Sequence, residues 1–434
     1  MLTILRRAVS LWWQIWPWLA AIYLIGWFLR YWALHLAIHV GLTHGDFSGT
    51  LILPLAPLLR LLTYLALFLV IRSVAPGLQR VETDGEEAKG VFDVVMTAML
   101  PFLVIYAVWR LVVEDYYVYI TSVSHKLLSD WNLSAATEMN SAAIGPKLWA
   151  AMVIAFSLRQ LMTRFRERLP RWTMVIVAYL EVAWLYFGIK ASFAVVFGSP
   201  KWIEERRVVV WLSTVRNEVF SHVAWLARWW NEAGSILGSA TSVLALALAW
   251  LAVGSVVYGT PFTPTWAGAR RVLLGEQAGA AVGVAIERGR AAAQPRWERV
   301  PARIRRRIIE FARSQLEGRL GPIADAWRLI LHAGALPIAF FVLIYTALVL
   351  LAPNEAYFKQ TVTDGYLWRG VALVIGPHDW PWWQTYDQII RALIGAVIEP
   401  LRISLVGAAY WFCVDRARAE QARDELASVE ADHQ

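Results

Sequence analysis

The feature that most constrains this chain is a succession of long apolar runs separated by short hydrophilic segments. About 20 helical residues, each rising 1.5 Å, cross the roughly 30 Å hydrocarbon core of a bilayer. The chain is 58% hydrophobic and 17% charged, whereas soluble domains carry about 25% charged residues. Its 25 tryptophans are typical of a protein at membrane–water interfaces. The pattern predicts an all-α, polytopic integral membrane protein with about eight transmembrane helices and additional interfacial amphipathic helices.

The apolar runs divide the chain into five parts. They are residues 1–171, with spans 1–4; residues 172–260, with spans 5 and 6 and an interfacial helix at 199–233; residues 261–328, a basic cytoplasmic helical insertion; residues 329–414, with spans 7 and 8 and an outer loop at 352–386; and residues 415–434, a charged cytoplasmic tail. A ninth span at 208–230 is the alternative for the interfacial helix, and the charges of that stretch disfavour it.

Several boundaries within this scheme are specific expectations. Span 1 covers residues 11–40 and is followed by a short polar turn at 41–50. Span 7 is expected to run without a break over residues 329–351, and span 8 over 387–414. Residues 114–145 form a mixed, outward-facing segment.

The distribution of basic residues predicts the orientation. Residues 261–328 hold thirteen arginines and six acidic residues, and the proposed inner segments hold 25 Lys and Arg against 8 in the outer ones. Because cytoplasmic loops are enriched in Lys and Arg, both termini are expected in the cytoplasm. The preponderance of arginine over lysine is typical of a GC-rich bacterial genome, so we expect a multi-pass protein of the bacterial cytoplasmic (inner) membrane.

The basic insertion predicts contact with lipid or a partner rather than with nucleic acid, because the chain's basic residues flank its spans. Anionic lipid headgroups attract such clusters. The residues expected to make this contact are Arg303, Arg305, Arg306 and Arg307; a solvated helix face is the alternative interpretation.

Two outer segments resemble each other and favour an internal duplication. Glu114-Asp115-Tyr116-Tyr117 follows span 3, and Glu355-Ala356-Tyr357-Phe358 follows span 7. Spans 1–4 and 5–8 would then be two copies of a four-helix unit, as in some transporters. Chance similarity between aromatic-rich segments is the alternative.

Intramembrane charges are the residues most indicative of function, because the bilayer penalises them. Arg60 and Glu181 are both expected near the midplane and are candidate partners, and Glu399 lies midway along span 8. Arg30 and Lys190 lie in the outer halves of spans 1 and 5. These residues predict either a charged path through the bundle or ion pairs that hold the helices together.

Two further sets of polar residues have an outer location. His35 and His39 share a helix face and are weak candidates for a metal site, so no metal and no cofactor is expected. The outer carboxylates are Asp46, Glu114, Asp115, Glu355 and Asp379. Such groups would suit a general base in a lipid-linked transferase.

Motifs for nucleotide binding, zinc proteolysis and nucleophile-elbow hydrolysis are absent from the sequence. The single cysteine excludes an intramolecular disulfide and a multi-cysteine zinc site. We therefore expect a transport or pore-type protein rather than an enzyme. The alternatives are a non-catalytic scaffold subunit of an envelope complex, acting with other membrane proteins or as a homo-oligomer, and a lipid-linked transferase on the outer face.

Overall fold

The structure, a computed structural model, describes residues 2–83, 111–131, 146–165, 168–170, 172–197, 246–259, 328–352 and 365–432, with Met99, Phe102 and Leu244. Every regular element in these ranges is helical, which confirms the predicted fold class. The helices are α1 (Leu2–His44), α2 (Asp46–Ile52), α3 (Leu55–Val74), α4 (Pro76–Thr83), α5 (Leu111–Ser129), α6 (Pro146–Arg164), α7 (Thr173–Phe197), α8 (Leu246–Tyr258), α9 (Ala335–Leu351), α10 (Tyr366–Ile375) and α11 (Trp380–Asp432).

Within the described ranges, three helical segments are long and apolar enough to cross a membrane. They are Leu2–His44, Asp46–Val74 and Thr173–Lys190. The shorter apolar helices are Leu246–Tyr258, Ala335–Leu351 and Tyr366–Ile375. A membrane location fits these helices, and the eight-span scheme stays a prediction, since residues 84–98, 198–243 and 260–327 lie outside the described ranges.

The centre of the fold is the packing of α1 against α11, and the two helices run antiparallel. At one end, Nη1 of Arg7 lies 2.8 Å from Oδ2 of Asp415, and the same guanidinium lies 4.1 Å from the ring centroid of Trp411. Nearer the other end, Tyr23 packs on Gly395, which has no side chain to hold the helices apart. Ion pairing and close approach together fix the register of this pair.

Helix α3 runs parallel to α11 and antiparallel to α1. Tyr64 donates a hydrogen bond of 3.2 Å to Glu399, and about two turns further along α3 Ile71 lies beside Gly407. Phe68 is fully buried and packs against Trp250 of α8. The eight-span scheme requires the same relative directions for spans 1, 2 and 8.

Helices α6 and α7 form an antiparallel hairpin. The rings of Phe156 and Trp184 are 5.4 Å apart in an edge-on contact, and the buried Arg159 forms an ion pair with Glu181 one turn away. The hairpin contacts the centre of the fold through α7, which packs on α3, and Tyr179 of α7 donates a hydrogen bond to the carbonyl oxygen of Leu51 in α2.

The predicted polar turn at 41–50 is wrong, because α1 continues to His44 and α2 begins at Asp46. The chain reverses at Gly45 alone, whose φ of 92° is strained for residues with a side chain. Helix α2 then lies directly against α1. A methyl group added at Gly49 would lie 2.6 Å from the carbonyl oxygen of Ala37 and 2.8 Å from Cα of Gly41.

Predicted span 7 is broken rather than continuous. Gly334 has a φ of 87°, and α9 begins only after it. The preceding helical residues, 328–332, therefore form a separate short segment. A pattern of continuous hydrophobicity does not reveal such a break, because glycine is compatible with an apolar run.

Helices extend well beyond several predicted spans. The outer loop at 352–386 contains the apolar helix α10, and the mixed segment after residue 113 is largely the helix α5. Helix α11 is 53 residues long and runs through the predicted boundary at 414/415. Charged and aromatic residues favour helix as readily as apolar ones do, so hydropathy places the membrane and not the helix ends.

The close contact of α2 with α1 predicts opposite effects for two Gly→Ala substitutions in helices. Gly370 in α10 has no neighbouring atom within 4 Å of an added methyl group, so Gly370→Ala should stabilise by up to about 1 kcal/mol through helix propensity. Gly49→Ala should destabilise by about 1–3 kcal/mol, because its methyl group meets backbone atoms. The measurement is the thermal midpoint of the detergent-solubilised protein by fluorescence-detected size exclusion. Equal stabilisation of both variants would show that α2 does not pack on α1 in this way.

Candidate functional site

A cavity of about 410 Å³ lies between α1, α3 and α11, with α5, α10 and the end of α9 completing its wall. Three of the predicted intramembrane charges line it: Arg30 of α1, Arg60 of α3 and Glu399 of α11. The structure thus brings together charges that the sequence placed in three separate spans. A polar cavity reaching Glu399 is the geometry expected of a charged path, whereas the direct pairing of Glu399 with Arg402 is the geometry expected of the alternative, structural ion pairs.

Glu399 is held from two sides at the cavity wall. Tyr64 donates to one carboxylate oxygen, and Nη1 of Arg402 donates to the other. Arg402 is 2% exposed and also donates to the carbonyl oxygens of Leu348 and Ala352, at the C-terminal end of α9. Cations favour the C-terminal end of a helix, so this guanidinium satisfies both the carboxylate and the last carbonyl groups of α9.

Arg30 forms an ion pair with Asp115 of α5. Asp115 was expected among the outer-loop carboxylates, but its side chain is fully buried on a helix. Burial of an ionised carboxylate requires a charged or hydrogen-bonding partner. Asp115 therefore connects α5 to α1 and is poorly placed to act as a general base in an outer loop.

A third ion pair at the cavity was not predicted. Nε of Arg391 donates to both carboxylate oxygens of Asp387, at 2.9 and 2.8 Å. The indole nitrogen of Trp368 donates to the same carboxylate at 2.9 Å, and the guanidinium lies 5.6 Å from the Trp368 ring centroid. Asp387 therefore holds both the guanidinium of Arg391 and the indole ring of Trp368 in place. The four-residue spacing of Asp387 and Arg391 at the start of span 8 is the sequence signal that could have identified this pair.

Several arginines and carboxylates lie together at the cavity. The described residues that line it, or pair with residues that do, carry four guanidinium groups and three carboxylates. They are Arg30, Arg60, Arg391 and Arg402, and Asp115, Asp387 and Glu399. All four cations are arginines, whose planar guanidinium binds carboxylate and phosphate groups through paired hydrogen bonds.

Aromatic side chains form much of the remaining wall. Trp27 and Tyr31 are stacked, with ring centroids 5.6 Å apart and an angle of 16° between their planes. Tyr23 lines the cavity, and its hydroxyl interacts electrostatically with Glu399 and with three of the arginines. The cavity therefore combines a cationic region with stacked rings.

Glu181 does not lie in this cavity, and the expected pairing of Glu181 with Arg60 is wrong. Its partner is Arg159 on the neighbouring helix of the α6–α7 hairpin, with 7% of each side chain exposed. A helix hairpin brings residues together in antiparallel register, so the nearer partner in sequence is selected. Lys190, also of α7, lies 3.7 Å above the ring of Tyr116 rather than at the cavity.

The other expected carboxylates have separate locations. Asp46 accepts a hydrogen bond of 2.9 Å from the hydroxyl of Tyr119, and Asp379 is exposed just before α11. The side chain of Glu114, Glu355 and the cluster Arg303, Arg305, Arg306 and Arg307 lie outside the described part of the structure.

The weak metal candidates have ordinary surroundings. His35 lines the cavity and lies against Tyr31, with ring centroids 4.2 Å apart, and His39 is exposed on the same helix. Within the described ranges, no three His, Cys, Asp or Glu side chains come together as a metal site requires.

No protein family, curated protein or solved structure matches the chain when it is compared with each of these groups. The functional argument therefore rests on the residues and their geometry.

The pairing of Glu181 predicts that it can be replaced together with its partner but not alone. Arg159→Leu should destabilise by about 3–5 kcal/mol, because it leaves a buried carboxylate without a cation. The double variant Arg159→Leu/Glu181→Leu should recover most of that loss. Thermal midpoints in detergent measure both changes.

The exposed pair Lys126–Asp130, with side chains 59% and 56% exposed, is the matched control. Lys126→Gln should change stability by less than about 1 kcal/mol. If the double variant is as unstable as Arg159→Leu alone, the ion pair is not the reason for the burial of Glu181.

Proposed function

We propose that this chain is a membrane transport protein that binds a charged solute in the cavity between α1, α3 and α11. The observation that supports it is the convergence of Arg30, Arg60 and Glu399 on one cavity of about 410 Å³. Cavities of about 300–1,000 Å³ accommodate small molecules. Three elements of the fold are therefore arranged around a space of the right size and polarity for a solute.

The energetic cost of the ion pairs supports a role beyond packing. A buried ion pair is often no more stabilising than well-packed apolar residues of the same volume, and charges within a bilayer cost several kcal/mol each. A simple helix bundle gains little from three such pairs around one open space. A solute-binding site gains directly, because the pairs hold polar groups ready in an apolar surrounding.

The expected depth of the cavity in the membrane follows from the Arg7–Asp415 ion pair, which lies at the other end of α1. Arg30 is 23 residues from Arg7, about 35 Å along the helix at 1.5 Å per residue. With Arg7 and Asp415 at one membrane surface, Arg30 lies close to the opposite surface and Glu399 about 24 Å from the first. In the proposed orientation, with both termini in the cytoplasm of a bacterium and about eight spans in the inner membrane, the cavity faces outward.

A scaffold is the second candidate, favoured by the exposed aromatic face of α1. Trp13, Trp18 and Trp32 are 69%, 72% and 57% exposed. A partner helix, including a second copy of the chain, would cover such a face. Lipid acyl chains would cover this face equally well. The exposed face therefore supports a scaffold function less strongly than the cavity supports transport. Against the transferase, two of the described outer carboxylates, Asp46 and Asp115, are each engaged by a neighbouring side chain; the third, Asp379, is exposed just before α11.

The transport proposal predicts that the cavity is reached by water-borne reagents. Cys413 is 3% exposed and is the chain's single cysteine, so Cys413→Ala provides a cysteine-free background. Thr63→Cys and Ser122→Cys introduce thiols into the cavity wall. Ser404→Cys is the buried control, at 0% exposure, and Ser129→Cys is the exposed control.

A membrane-impermeant methanethiosulfonate should label both cavity cysteines in intact cells, at rates closer to that of the exposed control than to that of the buried one. In inverted vesicles the same cysteines should also be labelled, because a transport cycle exposes its site to both sides in turn. Labelling no faster than the buried control from either side would contradict transport. Labelling from one side alone would also contradict transport, because it would show a pocket that opens to a single side, as in a receptor.

A further inference from the structure

We infer that α10 is an interfacial helix, whose outward side binds the lipid–water boundary of the bilayer. The surface concerned, the α10 face, consists of Tyr366, Gly370, Leu373 and Val374, all of them exposed. The sequence pattern assigns the same residues to an outer loop. Lipid contact at the α10 face requires a membrane around the chain, and it does not depend on the transport function proposed above.

The α10 face is apolar and points away from the protein. Leu373 and Val374 are 84% and 86% exposed, and none of the ten residues of α10 is buried. The four residues share one side of the helix, because positions i, i+4, i+7 and i+8 lie on one face. A surface helix in water turns its apolar side to the core instead. Exposed apolar patches mark surfaces that a partner or a membrane covers.

The length and charge of α10 fit a helix lying at an interface. Its ten residues extend about 15 Å, half of the roughly 30 Å hydrocarbon core. Apolar helices of this length are core, re-entrant or interfacial helices, and the exposure of α10 excludes the first of these. Arg369, the one charged residue of the helix, is exposed beside the α10 face. Its long side chain can extend to the headgroups while its methylene groups lie along apolar surface.

An aromatic cluster follows α10 directly. The rings of His378 and Trp382 are stacked with centroids 4.2 Å apart, and Trp382 lies 4.9 Å from Trp383 and 4.6 Å from Tyr386. Trp383 also packs on Trp368 of α10, at 5.4 Å. Trp and Tyr are enriched where a bilayer meets water, because their rings are apolar and carry one polar group. The cluster therefore places α10 at such a boundary.

An exposed apolar stripe leads from the cluster along α11. It consists of Tyr386, Ile389, Leu393 and Val397, which follow one another at spacings of three or four residues. Helix–helix contacts in membranes are enriched in small residues, and this stripe is made of large ones, so acyl chains are its fitting neighbour. The α10 face thus adjoins the point where a lipid-facing surface ends in an aromatic belt. Lipid, rather than a second copy of the chain, is the occupant that these surroundings favour.

The other side of α10 belongs to the cavity wall. Trp368 lines the cavity, and its indole nitrogen donates a hydrogen bond of 2.9 Å to Asp387. One short helix therefore has its outward side in lipid and a ring at the cavity. The bilayer is then part of what holds this wall in place.

Spin labels measure which medium surrounds the α10 face. In the Cys413→Ala background, Leu373→Cys and Val374→Cys are labelled with a nitroxide, and the protein is reconstituted in phosphatidylcholine nanodiscs. Oxygen concentrates in hydrocarbon, whereas nickel ethylenediaminediacetate stays in water, so the ratio of their collision rates with the nitroxide reports the medium. Both positions should give a ratio at least about threefold above that of Ser129→Cys, because an interfacial helix lies about 5–10 Å into the headgroup and acyl boundary.

Two further positions make the comparison independent of any one variant. Leu393→Cys, in the middle of the stripe on α11, is the lipid-facing reference. Gly370→Cys keeps every bulky side chain, and an added Cβ there meets no atom within 4 Å. It should give the same ratio as Leu373→Cys even if loss of an apolar side chain disturbs the helix.

Three results would overturn the inference. A ratio equal to that of Ser129→Cys would place the α10 face in water. Protection from both reagents would show that protein covers it, as a second copy or a partner would. A fluorophore at Leu373→Cys should be quenched more by lipid carrying a nitroxide at acyl carbon 5 than at carbon 12, since an interfacial helix lies shallow; the reverse order would place α10 deep in the hydrocarbon.

The lipid contact and the transport function fail in different experiments. If the α10 labels report lipid and the cavity cysteines are labelled from one side alone, the interfacial helix stands and transport fails. If the α10 labels report water and the cavity cysteines are labelled from both sides, transport stands and the interfacial helix fails.

Discussion

The interaction that joins α3, α9 and α11 beside the cavity is the burial of the Arg402 guanidinium. It is almost fully enclosed, and its partners come from two helices: the carboxylate of Glu399 on its own helix, and the last carbonyl groups of α9. Tyr64 then connects Glu399 to α3. A charge that cannot reach water must find its full set of acceptors within the protein, so this one side chain fixes how three helices meet. The cavity lies directly beside this junction.

The same requirement explains why the remaining ion pairs lie where they do. Arg30 pairs with Asp115 and Arg159 with Glu181 across neighbouring helices, and Arg391 pairs with Asp387 one turn away on the same helix. The pairs of Arg30 and Arg391 lie at the cavity, and the pair of Arg159 lies within the α6–α7 hairpin. All of these residues are charges in helices. The candidate binding residues differ from the structural ones in that they lie at the cavity.

The sequence predicted the helical class of the fold, but it did not predict which charged side chains contact one another. It predicted helices throughout, and it singled out Arg30, Arg60 and Glu399 because charges in apolar runs are costly. It could not show that these three share a cavity, since contacts between helices far apart in the chain leave no local pattern. Glu181 was misassigned for the same reason, because an expected depth in the membrane does not choose between Arg60 and Arg159 as its partner.

The predicted helix boundaries were wrong where a glycine, rather than a polar residue, marks the end of a helix. Gly45 and Gly334 break helices through positive φ values within or beside apolar stretches, and hydropathy is insensitive to backbone angle. Conversely, charged residues did not end α11, because a helix that leaves the membrane needs no change of conformation to enter water. Composition thus predicted the helical class of the protein better than the ends of its helices.

The length of α11 gives the cavity a mechanical connection to the far side of the protein. Pro400 directly follows Glu399 inside this helix, and proline removes one backbone hydrogen bond and favours bending at that point. From there to Asp432 the helix extends for about 50 Å at 1.5 Å per residue. A pivot of about 5° beside the cavity would displace the distant end by about 4 Å, by the same geometry. The helix that forms the cavity wall is therefore also a lever, with its fulcrum next to the cavity and its long arm at the other end of the protein.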